Sequence, residues 1–283
     1  MSEDSVQPAE LTLGDVMRLD DDQYHTDNVA LVTGGGSGIG RATSIVLAEN
    51  GLTAVATDVD EEGLAETKAM AEDLGVEGHL ETVQGNLRKE DEMDDIVEAA
   101  DGHGDLRYLA NIAGMQHIDA IPDFPLDQYD LMYDVMLRAP FYLSKLSLPL
   151  MREAGGGVVG NMASVHAHYV TRDKVAYNSM KFGLRGLTRS IAAETTGDTR
   201  SFSVSTGYVK TPLVMSQIAD TAESRGISER EVVEDVMLGQ ARIKEMMEPV
   251  EAGNLFALGF SKYARHLNGN DLLWDGGYAH TYE

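Results

Sequence analysis

From Val29 onward, short apolar runs alternate with stretches whose apolar positions recur every three or four residues. A short apolar run bounded by turn residues reads as a buried strand, and the longer recurrence reads as a helix with one face inward. The pattern predicts strands at 29–32, 52–57, 80–84, 106–111, 157–162, 202–205 and 272–274. Helices are predicted at 38–50, 61–74, 91–100, 127–152 and 176–194, with a polar, Met-rich lid between the last two strands. Such regular alternation implies an α/β fold, a single doubly wound domain with a parallel sheet and helices on both faces. No break in composition divides residues 28–283. Residues 1–27 form an acidic extension, in which Leu11, Leu13, Val16, Met17 and Leu19 line either a short helix or a flexible segment.

A chain of 283 residues with 43% apolar side chains can bury a sizeable core. Its 47 acidic and 22 basic residues give a formal charge of −25, which argues against nucleic acid and anionic membrane surfaces as partners. The absence of Cys excludes disulfides, thiolate metal sites and a Cys nucleophile, and suits a cytoplasmic location. Neither a basic segment followed by an apolar one at the N-terminus nor an apolar run of membrane-spanning length is present. Only eight of the basic residues are Lys. A surface so acidic repels itself at low salt, which predicts a salt-rich, halophilic setting for this protein.

The first strand runs into Thr33-Gly34-Gly35-Gly36-Ser37-Gly38-Ile39-Gly40 and then directly into a helix. Glycines there allow a tight turn and a close approach to a pyrophosphate seated on the helix N-terminus. Asp58 ends the second strand, where a carboxylate can accept both hydroxyls of an adenosine ribose and repel a 2′-phosphate, so NAD is the predicted cofactor. No Arg or Lys stands nearby in sequence to neutralise an extra phosphate. Tyr177 and Lys181 are four residues apart on one helical face, and Ser164 follows a strand thirteen residues before Tyr177. A phenol with an unperturbed pKa near 10 needs a neighbouring cation to act as an acid–base at neutral pH, which Lys181 can supply.

Taken together, TGGGSGIG at 33–40, Asn111-Ile112-Ala113-Gly114, Ser164, Tyr177-Asn178-Ser179-Met180-Lys181, Thr206-Gly207 and Asp275-Gly276-Gly277 resemble the motifs of the classical short-chain dehydrogenases/reductases. The resemblance spans about residues 28–280 and implies a seven-stranded Rossmann-type sheet. It implies Ser164, Tyr177 and Lys181 as the catalytic set. It also implies cofactor contacts from Gly34, Ser37, Gly38, Ile39, Gly40, Asp58, Asn86, Leu87, Asn111, Tyr177, Lys181, Gly207, Val209 and Thr211. Within the family the chain is most similar to bacterial D-3-hydroxybutyrate dehydrogenases. That likeness implies Gln116, His166, Lys174 and Gln217, beside Ser164 and Tyr177, as holders of a small carboxylate substrate. A homotetramer is implied too, with helices 127–152 and 176–194 pairing across a two-fold axis through Leu131, Val135, Leu146 and Leu187.

Four supporting positions depart from the family pattern. Met136 stands where an Asn usually supports a proton relay, Asn86 replaces an Asp, Ile112 replaces the second Asn of N-N-A-G, and Thr206 replaces a Pro. A thioether cannot supply an amide's donors. Met132, Met136, Met151 and Met180 read as core filler. His117, His166 and His168 lack metal-ligand spacing, so no metal is expected. The resulting expectation is an NAD-dependent oxidoreductase acting on a small 3-hydroxy acid. A dehydrogenase of sugars, polyols or cyclic alcohols, and a nucleotide-binding interaction protein with impaired turnover, are the competing readings.

Overall fold

The computed structural model describes residues 7–279. Its seven strands are β1 (Asn28–Thr33), β2 (Thr53–Asp58), β3 (His79–Gln84), β4 (Asp105–Asn111), β5 (Gly157–Met162), β6 (Thr199–Thr206) and β7 (Asn270–Trp274). They form one parallel sheet in the order β3-β2-β1-β4-β5-β6-β7. Parallel neighbours must be joined by crossovers, and these are the helices α1 (Gly38–Glu49), α2 (Glu61–Leu74), α3 (Glu90–Asp101), α4 (Leu126–Tyr133), α5 (Ala139–Glu153), α6 (Val175–Glu194), α7 (Pro212–Arg225) and α8 (Pro249–Phe260). Alternate residues of each strand serve opposite layers. Ala30, Val32, Ala54, Phe202 and Val204 pack toward α1 and α8, while Val29, Leu31, Val55 and Leu109 pack toward α3, α5 and α6. Burial on both faces is why β1 reads as a continuous apolar run.

Three elements differ from the sequence expectation. Residues 127–152 are not one helix, because a five-residue π-helical turn, Asp134–Arg138, separates α4 from α5. Pro140 explains the break. It has no N–H to give Met136, and in an α-helix its ring would strike that carbonyl. Leu131 and Val135 line the cleft described below and Leu146 and Leu187 lean on the inner core, while all four stay partly exposed in the single chain. An apolar stripe marks the inward side of a helix as readily as an interface. The exposed apolar side chains of these helices are instead Leu126, Tyr133, Phe141 and Phe182.

The sixth strand starts three residues earlier than its apolar run, at Thr199. Arg200 there is 8% exposed, and its guanidinium donates to the carbonyls of Gly259, Phe260, Ser261, Ala264 and Leu267 at 3.0–3.3 Å. A buried cation thus satisfies the carbonyls that end α8. The lid between β6 and β7 contains α7 and a π-helical stretch, Val232–Met237, packed by Ile218, Val232, Val233, Met237, Leu238 and Met246. In the N-terminal extension, Leu13–Asp15 make one 3-10 turn and Val16 and Tyr24 enter the core beside α1 and α8. Asn50 and Asn254 fasten this segment by hydrogen bonds to the backbone of Asp15, Met17 and Leu19.

The packing of α8 on β6 leaves no room for one more carbon. A Cβ on Gly259 would fall well inside contact distance of the Phe202 ring, itself fully buried against Phe256 and Phe260. Gly259→Ala should therefore destabilise the fold by about 1–3 kcal/mol, read as a lower denaturation midpoint in urea with an unchanged slope.

Candidate active site

The strand order reverses between β1 and β4, and a cleft of about 630 Å³ opens there at the carboxyl ends of the strands. Its floor at β1 is the glycine loop. Gly34 has φ +72°, and a Cβ there would lie 2.9 Å from Ala113 Cα. A Cβ on Gly38, φ +51°, would lie 3.1 Å from Thr211 Cγ2. Only glycine permits backbone this close on both sides of a slot. Thr33 Oγ1 ties the loop to β4 by accepting the amides of Ile112 and Ala113 at 2.9 and 3.1 Å. The first turn of α1 carries no acidic residue, whereas α2 and α3 begin with Glu61, Glu62 and Glu90, Asp91, Glu92. In so acidic a chain, this leaves the positive end of α1 open to an anion.

Most expected cofactor contacts line this cleft: Gly34, Ser37, Gly38, Ile39, Gly40, Asp58, Asn86, Leu87, Tyr177, Lys181, Gly207, Val209 and Thr211. The Asp58 carboxylate accepts the amides of Gly36 at 3.1 Å and Asp60 at 3.2 Å, which fixes it at the rim. Asn111 is absent from the lining. It is 3% exposed within the sheet, and its amide donates to Asn161, whose own amide donates to Thr188, each at 2.9 Å. That buried chain joins β4, β5 and α6 beneath the site. A second difference is Arg88, which stands after β3 and lines the cleft, 3.5 Å from Asp134. Sequence distance from Asp58 hid it, because β3 lies beside β2 and brings Arg88 to the same rim.

Ser164 leaves β5 with an extended backbone, and its Oγ accepts the His166 amide at 3.2 Å. Tyr177 and Lys181 reach the same end of the cleft from the first turns of α6. Lys181 is 3% exposed, donates to the Met162 carbonyl at 2.6 Å and lies 5.4 Å from the centre of the Tyr177 ring. Burial draws its ammonium down to about 7. Burial pushes the Tyr177 phenol up, opposed by a hydrogen bond from Ser164 that favours the phenolate. This arrangement can exchange a proton with an alcohol or ketone while a hydroxyl holds the oxygen.

Gln116, His166, Lys174 and Gln217 do not line the main cleft but lie beyond Ser164 and Tyr177. Gln217 donates to Gln116 at 2.7 Å. The loop carrying Gln116 is tied to that of Lys174 by the Asp119 amide, which donates to the Asp173 carbonyl at 2.9 Å. The His166 ring meets Tyr177 edge-on at 5.6 Å. Burial, then the charges of Lys174 and Lys181, draw His166 down to about 3, so its imidazole is neutral. Burial, then Arg225, draw Lys174 down to about 8. Sequence reasoning missed the aromatic walls: Tyr169 stacks on Tyr278 at 5.3 Å, and Lys174 lies 6.0 Å from the centre of the Tyr208 ring. Their signal was position, since Tyr169 and Tyr208 stand in loops just after the ends of β5 and β6. His117, His166 and His168 do not converge, being bonded to Asp119, Thr171 and Asp271 respectively.

Comparison with known proteins agrees with this geometry. The family described as short chain dehydrogenase matches residues 28–222. A D-beta-hydroxybutyrate dehydrogenase of Rhizobium meliloti (strain 1021) is 32% identical over 254 residues, 88% of this chain and 97% of that protein. A cyclohexanol dehydrogenase of Acinetobacter sp. (strain SE19) is 31% identical over 255 residues, 89% of this chain and 95% of that protein. The crystal structure of levodione reductase superposes with a TM-score of 0.85 at 29% identity, covering 91% of this chain and all of that one. With motif, sheet order and catalytic-end geometry in agreement along nearly the whole chain, the protein belongs to the short-chain dehydrogenase family and is an oxidoreductase.

Proposed function

We propose that this protein is an NAD-dependent dehydrogenase that interconverts a small 3-hydroxy acid and its 3-keto acid, with D-3-hydroxybutyrate and acetoacetate as the first pair to test. The observation that carries the reading is the Gln116–Gln217 pair, His166 and Lys174 beside Ser164 and Tyr177. An ammonium, an imidazole and two amides suit a carboxylate lying next to a neutral carbonyl. The D-beta-hydroxybutyrate dehydrogenase among its relatives supports it. Asp58 supports NAD, whereas Arg88 on the same rim favours some tolerance of NADP.

A nicotinamide cofactor, which the glycine loop, Asp58 and Lys181 would hold in the cleft, would supply the hydride chemistry when bound. Ser164 holds the substrate oxygen by a hydrogen bond. Tyr177 takes the alcohol proton as phenolate or returns it as phenol. Lys181 stabilises the phenolate and holds the nicotinamide ribose. A second reading, dehydrogenation of a cyclic alcohol, is favoured by the Tyr169, Tyr208 and Tyr278 walls and by the cyclohexanol dehydrogenase relative. The protein is read as cytoplasmic and homotetrameric, with residues 28–283 as its catalytic domain. Phe141 and Phe182 are exposed in the single chain and offer apolar surface to such an assembly.

Spectrophotometric assay with NAD and NADP against 3-hydroxy acids, polyols and cyclic alcohols tests the assignment. Turnover of 3-hydroxybutyrate with NAD is expected to exceed the others, and Tyr177→Phe should lower it on the order of 10²-fold or more. Turnover of cyclic alcohols alone moves the assignment to the second reading, and a normal rate in Tyr177→Phe removes that residue from the chemistry. Lys174 sets a pH dependence. Its ammonium, at about 8, is mostly charged at pH 7 and mostly neutral at pH 9. The KM for an anionic substrate should therefore rise about tenfold between pH 7 and pH 9. Neutral alcohols should show no such rise. Finally, a chain of charge −25 should gain thermal stability between 0.1 M and 1 M KCl, as the Debye length falls from about 10 Å to about 3 Å. A flat or falling Tm over that range speaks for an ordinary acidic enzyme.

A further inference from the structure

A chain with 47 acidic and 22 basic side chains has carboxylates to spare for its cations. Arg18, Arg41, Arg138 and Arg230, for example, each lie against a Glu. Arg185 and Arg189 do not. Among the described residues neither has a carboxylate partner, although they stand four residues apart on α6. Side chains at that spacing are neighbours on the helix surface, and two like charges there destabilise the helix.

Both arginines open on a second cavity, of about 220 Å³, between α6, β6 and β7. It shares no lining residue with the main cleft. His168, Ser203, Asn270 and Asp271 make most of the remaining wall. Asp271 is the only acid among the lining residues, and both its oxygens are engaged. One accepts the hydroxyls of Ser203 and Ser205, and the other lies 2.8 Å from His168 Nε2. The Asp271 side chain is 8% exposed, so this network is fixed in place. Arg185 spends one arm of its fork, donating from Nη1 to the Ala167 carbonyl at 2.6 Å. Its Nε and Nη2, and the whole Arg189 guanidinium, have no acceptor among the described residues. Two cations thus face one committed carboxylate, which leaves this cavity positive in a molecule of charge −25.

We propose that the cavity is a binding site for a small oxyanion of the phosphate or sulfate class, held between Arg185 and Arg189. A guanidinium fork pairs its N–H groups with two oxygens of one anion, and a tetrahedral oxyanion has oxygens enough for two forks. Its charge removes the repulsion between the two arginines, which no side chain of the cavity removes. Arg185 also holds the carbonyl that ends the turn Val165–Ala167, directly after Ser164. An anion there therefore braces α6 against the catalytic turn from outside the cleft. The site depends on neither the substrate nor the cofactor preference proposed above.

The test is made on the enzyme with saturating NAD, so that the glycine loop is already filled, and at an ionic strength held constant with KCl. Replacing chloride by phosphate should raise Tm by about 2–4 °C and then saturate. Equilibrium dialysis with radiolabelled phosphate should find one more phosphate per chain in the wild type than in Arg189→Gln. Arg189 is exposed, so Arg189→Gln should fold and turn over like the wild type while losing the phosphate effect. Arg185→Gln should lose it as well. Arg189→Glu supplies the missing countercharge, so without phosphate its Tm should approach that of the phosphate-saturated wild type and then ignore phosphate. An equal phosphate response in the wild type and both glutamine variants places the anion elsewhere and overturns the site. So does a rise that never saturates. Glutamine variants that bind phosphate normally but change oligomeric state by light scattering assign the arginines to the acids of a partner chain, and the site falls.

Discussion

Parallel pairing of β1 with β4, where the strand order reverses, is the constraint on which the rest of this protein depends. Parallel neighbours cannot be joined by hairpins, so every connection becomes a crossover, and the helices bury both faces of the sheet. The crossovers leave in opposite directions from β1 and β4, and the gap between them is the cleft. Gly34, Asp58, Asn86, Ser164 and Gly207 all stand at or just past carboxyl ends of strands, and so meet there although 173 residue positions separate the first from the last.

The charge of the molecule and the charge of its site run in opposite senses. The chain carries an excess of acids, most of them exposed on the outer faces of helices such as α2 and α3. At the catalytic end the ionisable groups are Lys174, Lys181 and a neutral His166, with the carboxylate of Asp58 at the far rim. Burial lowers both lysines and raises the phenol, so each of these groups is pushed toward its neutral form. A buried ammonium without a carboxylate partner costs stability. Here the cost falls at the place where an anionic ligand could offset it, as functional sites commonly arrange.

Support for this site is mostly out of sight. The Asn111–Asn161–Thr188 chain fixes β4, β5 and α6 relative to one another, so Ser164 and Tyr177 approach from a rigid base. The π-helical turn before Pro140 sets Val135 on the cleft and Met136 in the cluster behind Tyr177. At the other end, Arg200 and the N-terminal segment hold α8, which packs under β5 and β6.

Local chemistry was legible in the sequence because it is written locally. Apolar periodicity marks all seven strands and the helices up to α6, but not α7 and α8, which fall in the segment that reads as a polar lid. The glycine loop, Ser164, Tyr177 and Lys181 are set by spacing over short stretches of chain. The likeness of these motifs to the short-chain dehydrogenases carried the fold and family as well. Whatever depended on two elements meeting was decided only by the tertiary structure. Arg88 enters the cleft through strand pairing, Asn111 is withdrawn from it by a side chain on β5, and Arg200 sits buried because helix-end carbonyls surround it. Pro140 puts a π-helical turn into a helix that periodicity alone continues. Leu131 and Val135 border the cleft while Leu146 and Leu187 lean on the core, because an apolar pattern carries no record of which neighbour will cover it.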